Sequence, residues 1–225
     1  MNCFGWGDLG GTPFSTGYSQ IQDEGIPLAP ATIIDFVGSG VSASNGVGKT
    51  IVTIGNPTQV FTQTASSTPI TNTTVETNLL DGGLGSLSVP ANGFKVGDSF
   101  LAIMTGILNS ANNQPIRIRV KSLSVVLADT GSITLPQCTN QHFTMSIYFI
   151  IRALGGGGVG SIATGGNFSY NKDSNFAIEG RNFSTENSTT FNTTINNTLL
   201  VTAQWTNANP NNTIYSQIFT LTKTY

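Results

Sequence analysis

The residues of this chain that could do chemistry are few, and their spacing decides what each can do. The run Ala43-Ser44-Asn45-Gly46-Val47-Gly48-Lys49-Thr50 has the spacing of a phosphate-binding loop. Such a loop works because its backbone N–H groups and the N-terminus of a following helix converge on phosphate oxygens. Here Ile51, Val52, Thr53 and Ile54 come next, then Gly55-Asn56-Pro57, which spell a short strand and a turn. With no helix to supply the N-terminus, the run is a hairpin loop whose glycines take positive φ. The run Gly155-Gly156-Gly157-Gly158-Val159-Gly160 joins two strand-like segments, and no βαβ unit surrounds it to make a dinucleotide site. His142 is the one histidine, so neither a histidine-based metal centre nor a Ser-His-Asp triad can be assembled from any motif near it. Glycoside hydrolysis needs only two carboxylates, and eleven acids are present. They are dispersed, however, and Asp81, Asp98, Asp129 and Asp173 sit beside Gly, Thr or Lys in turn contexts, so they read as turn formers. The expectation is a chain that is not an enzyme and binds no cofactor or metal.

Composition narrows the class further. Asp, Glu, Lys and Arg make up 9% of the 225 residues, where about 25% is usual, so solubility rests on Asn, Thr, Ser and Gly. Thr, Val, Ile and Phe suit pleated surfaces better than helices, which favours strands. A net charge of −2 supplies no basic field to track phosphates, which excludes nucleic acid as a partner. Hydrophobic residues at 38% and a mean hydropathy of +0.06 suit a folded domain. No apolar run approaches the roughly 20 residues that span a bilayer, so membrane insertion is not expected. Cys3 and Cys138 define no disulfide framework. Seven Asn-x-Ser/Thr triplets, beginning at Asn72, arise from a composition rich in Asn and Thr. The leader MNCFGWGDLGG carries neither a basic segment nor an apolar run, so the chain is expected to be made in a cytoplasm and to reach its place by assembly.

The elements that must position any site are strands. Residues 1–57 read as an extended attachment arm followed by a hairpin, with strands at Thr32-Ile33-Ile34-Asp35-Phe36-Val37 and Thr50-Ile51-Val52-Thr53-Ile54 and a Gly/Ser/Asn-rich turn region between. Residues 58–225 read as a β-sandwich head, with β-rich runs separated by turn signals. The clearest run covers 143–151, where Phe143, Met145, Ile147, Phe149 and Ile151 form one apolar row. Similar rows are Phe100, Ala102 and Met104; Ile116, Ile118 and Val120; and Leu199, Val201, Ala203 and Trp205. In the last run Ile214 and Ile218 fall on one face and Tyr215, Phe219 and Leu221 on the other, which suggests contact with a second subunit. Residues 171–197 are polar, with Phe176, Phe183 and Phe191 at intervals, and read as a long loop with aromatic pins. Tyr170, Phe176 and Phe183 are the candidate receptor contacts.

The segments Ile21-Gln22-Asp23-Glu24-Gly25-Ile26-Pro27-Leu28, Thr32-Ile33-Ile34-Asp35-Phe36-Val37-Gly38-Ser39-Gly40-Val41 and Ile51-Val52-Thr53-Ile54 resemble a module that recurs in phage tail fibres and related virion proteins. Asn92-Gly93-Phe94-Lys95-Val96-Gly97-Asp98-Ser99-Phe100, Val125-Val126-Leu127-Ala128-Asp129-Thr130-Gly131 and residues 198–225 resemble head domains of fibre and spike proteins of phages and large DNA viruses. The resemblance implies an all-β chain: an antiparallel β-sandwich, jelly-roll-like, with an extended N-terminal arm and hairpin. It also implies a homotrimer displayed on a virion, bound to other virion proteins through the arm and recognising a host surface glycan or protein through head loops. A capsid or tail connector without a receptor, and a secreted glycan-binding or glycan-hydrolysing β protein, are the alternatives.

Overall fold

The computed structural model describes residues 22–23, 26–27, 41–46, 49–54, 59–172 and 177–225. The chain divides into two units at Thr53/Ile54. In the first, β1 (Gln22–Asp23) pairs antiparallel with β2 (Ile26–Pro27), and β3 (Val41–Gly46) forms a two-stranded sheet with β4 (Lys49–Ile54). The expected strand at residues 32–37 lies outside the described residues. The segment read as a turn region instead holds β3, so the phosphate-loop-like run starts in one strand and ends in the next. Lys49 and Thr50 therefore open a strand and stand at no helix N-terminus.

The second unit is a two-sheet antiparallel β-sandwich, and no helix occurs among the described residues. It begins with short strands at one side: β5 (Gln59–Gln63), β6 (Ile70–Thr71), β7 (Thr77–Asn78), β8 (Gly83–Gly85) and β9 (Ser88–Val89). The long strands come after them: β10 (Ser99–Ser110), β11 (Gln114–Ser122), β12 (Val125–Leu135), β13 (Cys138–Ala153), β14 (Ser161–Asn171), β15 (Ile178–Asn187), β16 (Asn197–Trp205) and β17 (Thr213–Lys223). The larger sheet has the order β15-β14-β13-β10-β17-β5-β8, with β6 beside β17. The smaller has the order β12-β11-β16-β7, with β9 beside β16. The β10–β11 arch thus lies against the β16–β17 arch, β10 pairing β17 in one sheet and β11 pairing β16 in the other. This rolled double ribbon is the jelly-roll connection.

Period-two alternation builds the core. Phe143, Met145, Ile147, Phe149 and Ile151 of β13 are all buried, as are Ile116, Ile118 and Val120 of β11 and Val201, Ala203 and Trp205 of β16. Phe143 and Phe168 lie 5.6 Å apart between ring centroids, in the tilted arrangement such rings favour. One edge of the sandwich is bridged where Arg181 of β15 donates through Nη1 to the carbonyls of Thr130 (2.9 Å) and Ser132 (3.2 Å) on β12. The other edge holds a buried polar knot. There the Ser216 hydroxyl lies 2.7 Å from the Leu79 carbonyl and 3.0 Å from Gln63 Oε1, and Ser67 Oγ accepts from Ser216 N.

Two expectations are corrected here. Residues 171–197 are not one long loop, since β15 runs ten residues through them in full register with β14, from Ile162↔Asn187 to Asn171↔Ile178. The strand is polar because its pairing comes from backbone groups and it stands at the sheet edge. The faces of β17 also differ. Thr105 opposes Ile218 whereas Gly106 opposes Ser216, so Gln217 is an extra, bulged residue. Parity changes there: Ile214, Phe219 and Leu221 point into the core, and Ile218 points out, 55% exposed.

Candidate functional site

The outer surface of the smaller sheet carries a charge ladder. On β11, Arg117, Arg119 and Lys121 alternate with the buried row and meet Glu76 and Asp129. Arg117 Nε donates to both Asp129 oxygens at 2.8 and 2.9 Å, and its Nη2 pairs with the same carboxylate. Arg119 Nη1 reaches Glu76 Oε2 at 2.8 Å and its Nε lies 3.4 Å from Asp129, while Lys121 Nζ is 3.2 Å from Glu76 Oε1. Thr202 Oγ1 donates to Glu76 at 2.6 Å. Burial acts to raise the Glu76 carboxyl, but hydrogen bonds from Thr202 and Lys121 and the Arg119 charge outweigh it and hold the pKa below the usual value. Asp129 shows the same balance, with burial opposed by Arg117, the Gly131 N–H and Arg119. A general acid for glycoside cleavage needs a raised pKa. These two carboxyls are shifted the other way, and so is Glu179, by its hydrogen bonds from Lys172 and Tyr170.

The outer surface of the larger sheet is the opposite in character. Ile103, Tyr148, Ile150 and Ile218 stand out from β10, β13 and β17, with Tyr148 56% exposed. Register places Thr105, Ser146 and Thr220 among them. Over β10, 144–150 of β13, β14 and 213–222 of β17, this surface has no charged side chain. The first charges at its margin, Arg152 and Glu186, pair with each other.

Three arches meet at one end of the sandwich: β10–β11, β12–β13 and β16–β17. Between them lies a cleft of about 570 Å³ whose lining includes Asn109, Asn112, Gln137, Thr139 and Asn211 and, among the described residues, no charged one. Buried Asn212 ties two of the arches, its Oδ1 accepting from Ala111 N at 3.0 Å and its Nδ2 donating to Gln114 Oε1 at 3.3 Å. Asn109 Oδ1 accepts from Asn140 N at 2.7 Å and ties the third. The chain enters the sandwich at the other end, where Gln59 opposes Thr222, whereas Thr213 at the start of β17 lines the cleft. At about 3.4 Å per residue the two points are about 30 Å apart along β17.

The residues singled out in the sequence do not gather into one site. Tyr170 is 3% exposed, its ring 6.0 Å from that of Phe168 and its hydroxyl donating to Glu179 Oε2 at 2.9 Å. Burial and then Glu179 push its phenol well above the usual range. Phe183 is half-buried against the core, and Phe176 lies outside the described residues. Tyr170 and Phe183 therefore pin β14 and β15 and offer little surface. Two of the four acids assigned to turns, Asp81 and Asp98, do cap them, whereas Asp129 lies inside β12 and accepts from Gly131 N beside the register shift between Arg117 and Arg119. Gly82 N donates to Asp81, Lys95 N to Asp98 and Gly131 N to Asp129, each within 2.7–2.8 Å, and Asp173 lies outside the described residues. His142 is exposed on β13, and burial pushes the thiol pKa of Cys138 up, leaving it a poor nucleophile. The arch-end cleft had no signal in the sequence beyond Asn and Gln at turns. Comparison with protein-family models gives no match, and comparison with curated proteins gives none either.

Proposed function

We propose that this chain is a structural component of a viral fibre or spike, whose sandwich is a head held to the particle by residues 1–57 and turned toward the host surface. The observation that supports this reading is polarity along the sandwich: the chain enters at one end and a pre-shaped polar cleft opens between arches at the other. Loops at the end of a rigid scaffold are where recognition residues are held, so the arch end is the host-facing one. The head is a homotrimer in this reading. Three copies that bring their larger sheets together cover Ile103, Tyr148, Ile150 and Ile218 and bury no unpaired charge, while the charge ladder of the smaller sheet stays in water. The chain is assembled in the host cytoplasm and ends on the virion, contacting other virion proteins through its N-terminal segment.

Labelling tests the placement. Gold-conjugated antibody raised against the head is expected to decorate the tips of projections on intact particles. Label that reaches its epitope only after capsid or tail is disrupted overturns the reading and makes the chain a connector.

A further inference from the structure

We propose that the arch-end cleft binds an uncharged saccharide, an inference that rests on the arch end being the host-facing end. The cleft's volume of about 570 Å³ falls in the usual ligand-site range of about 300–1,000 Å³. What selects the ligand class is the chemistry of its walls. Among the described residues no Lys, Arg, Asp or Glu lines it, so none of them neutralises a phosphate, a sulfate or an acidic sugar there. It has no aromatic wall and little aliphatic wall to seat the anchor side chain of a peptide. Its principal groups are carboxamides, and those of Asn112, Gln137 and Asn211 make no hydrogen bond within the protein among the described residues. The Asn109 Nδ2 is likewise free, although its Oδ1 is used. A carboxamide donates and accepts from one rigid group, which matches a sugar hydroxyl's own paired capacity. Thr139 and Thr213 add hydroxyls at the rim.

The walls are also fixed before any ligand arrives. Buried Asn212 locks the β10–β11 arch to the β16–β17 arch, and the Asn140 N–H to Asn109 bond holds the start of β13 against β10. Asn113 adopts a positive φ of 56°, the left-handed turn that lets the β10–β11 arch fold back tightly, and Asn140, with a φ of 51°, takes the bulge in β13 opposite Asn109. Ordering cost on binding is therefore small.

The test is a titration of the full, isotope-labelled chain with methyl glucoside, methyl galactoside, methyl mannoside and N-acetylglucosamine, monitored by nuclear magnetic resonance. At least one of these is expected to shift the side-chain NH₂ signals of Asn112, Gln137 and Asn211 and to saturate in the millimolar range, about 1–10 mM. Changing all three exposed amides together, Asn112→Ala, Gln137→Ala and Asn211→Ala, is expected to weaken binding at least about tenfold with an unchanged thermal midpoint. Absence of any shift with all four sugars, or backbone amide shifts around the cleft that saturate at the same sugar concentration in the triple variant as in the parent, overturns the proposal. So does tighter binding of sialyllactose than of lactose, since the cleft has no cation to favour the acid. Because the titration uses isolated protein, it is independent of the labelling experiment. Sugar binding by a chain that is not at the particle tip would leave the cleft's chemistry standing and remove the host-facing role.

Discussion

Gly106→Ala puts the closure of the sandwich under direct strain. Gly106 sits in mid-β10, opposite Phe143 of β13 and Ser216 of β17, next to the bulge that sets the faces of β17. A Cβ built there would lie 2.1 Å from the Tyr215 carbonyl oxygen and 2.7 and 2.9 Å from the ring edge of Phe143. A carbon–oxygen contact settles near 3.3 Å, so the Tyr215 peptide must retreat by about 1 Å inside a paired strand. Overpacking of a core costs about 1–3 kcal/mol, and movement of a backbone and a fully buried ring together puts this site at the top of that range. The entropy that Ala saves over Gly returns about 0.5–1 kcal/mol. The net loss is therefore about 2–2.5 kcal/mol, which at about 2–4 °C per kcal/mol lowers the thermal midpoint by about 4–10 °C. Gly82→Ala is the control, because its Cβ meets nothing within 4 Å. It is expected to be neutral or to stabilise by up to about 1 kcal/mol. Circular dichroism melts at one protein concentration read both. Gly106→Ala melting within 2 °C of the parent, or Gly82→Ala losing as much as Gly106→Ala, refutes the register of β10 against β17 (a 2 °C shift is about 0.5–1 kcal/mol).

Two further predictions concern the sandwich itself. The Glu76 carboxyl is held below its ordinary value of 4.5, so its stabilisation is complete above that pH and is lost as pH falls through the lowered folded value. Glu76→Gln should therefore narrow the stability difference between pH 7 and pH 3, and an unchanged difference in denaturant midpoints would contradict the ladder's role. At the end where the chain enters, a small apolar pocket of about 60 Å³, open to the surface, lies beside Val89, Phe94 and Leu199. Val89→Ile adds one methylene toward it and is expected to stabilise by about 0.8 kcal/mol in chemical denaturation, whereas destabilisation would show that the pocket does not accommodate it.

How much of this was legible in the sequence depended on locality. The row Phe143, Met145, Ile147, Phe149 and Ile151 announced its strand because a period of two with large apolar groups has one physical solution, and every member is buried. The row in β17 was misassigned because the bulge at Gln217 is fixed by pairing with β10, about a hundred residues earlier, and leaves no local mark. β15 was hidden for a related reason. Its sequence, IEGRNFSTEN, has Gly, Asn and charges that argue against a strand, and the β14 edge overrides them by offering a full ladder. Tyr170 looked like a contact residue because it adjoins a polar segment, yet β13 places it in the core opposite Phe143. The cleft draws on residues near 110, 138 and 211, which only the jelly-roll crossing brings together.

The mass of the full chain in solution, measured by multi-angle light scattering over a range of concentrations, tests the proposed assembly most directly. Three copies of 23.6 kDa give about 71 kDa, and that value is predicted for the parent chain. Ile103→Glu would place one carboxylate per copy on the uncharged surface of the larger sheet, and the mass is predicted to fall toward one copy. A parent chain at 23.6 kDa at every concentration would contradict the account and leave a monomeric binding module in its place.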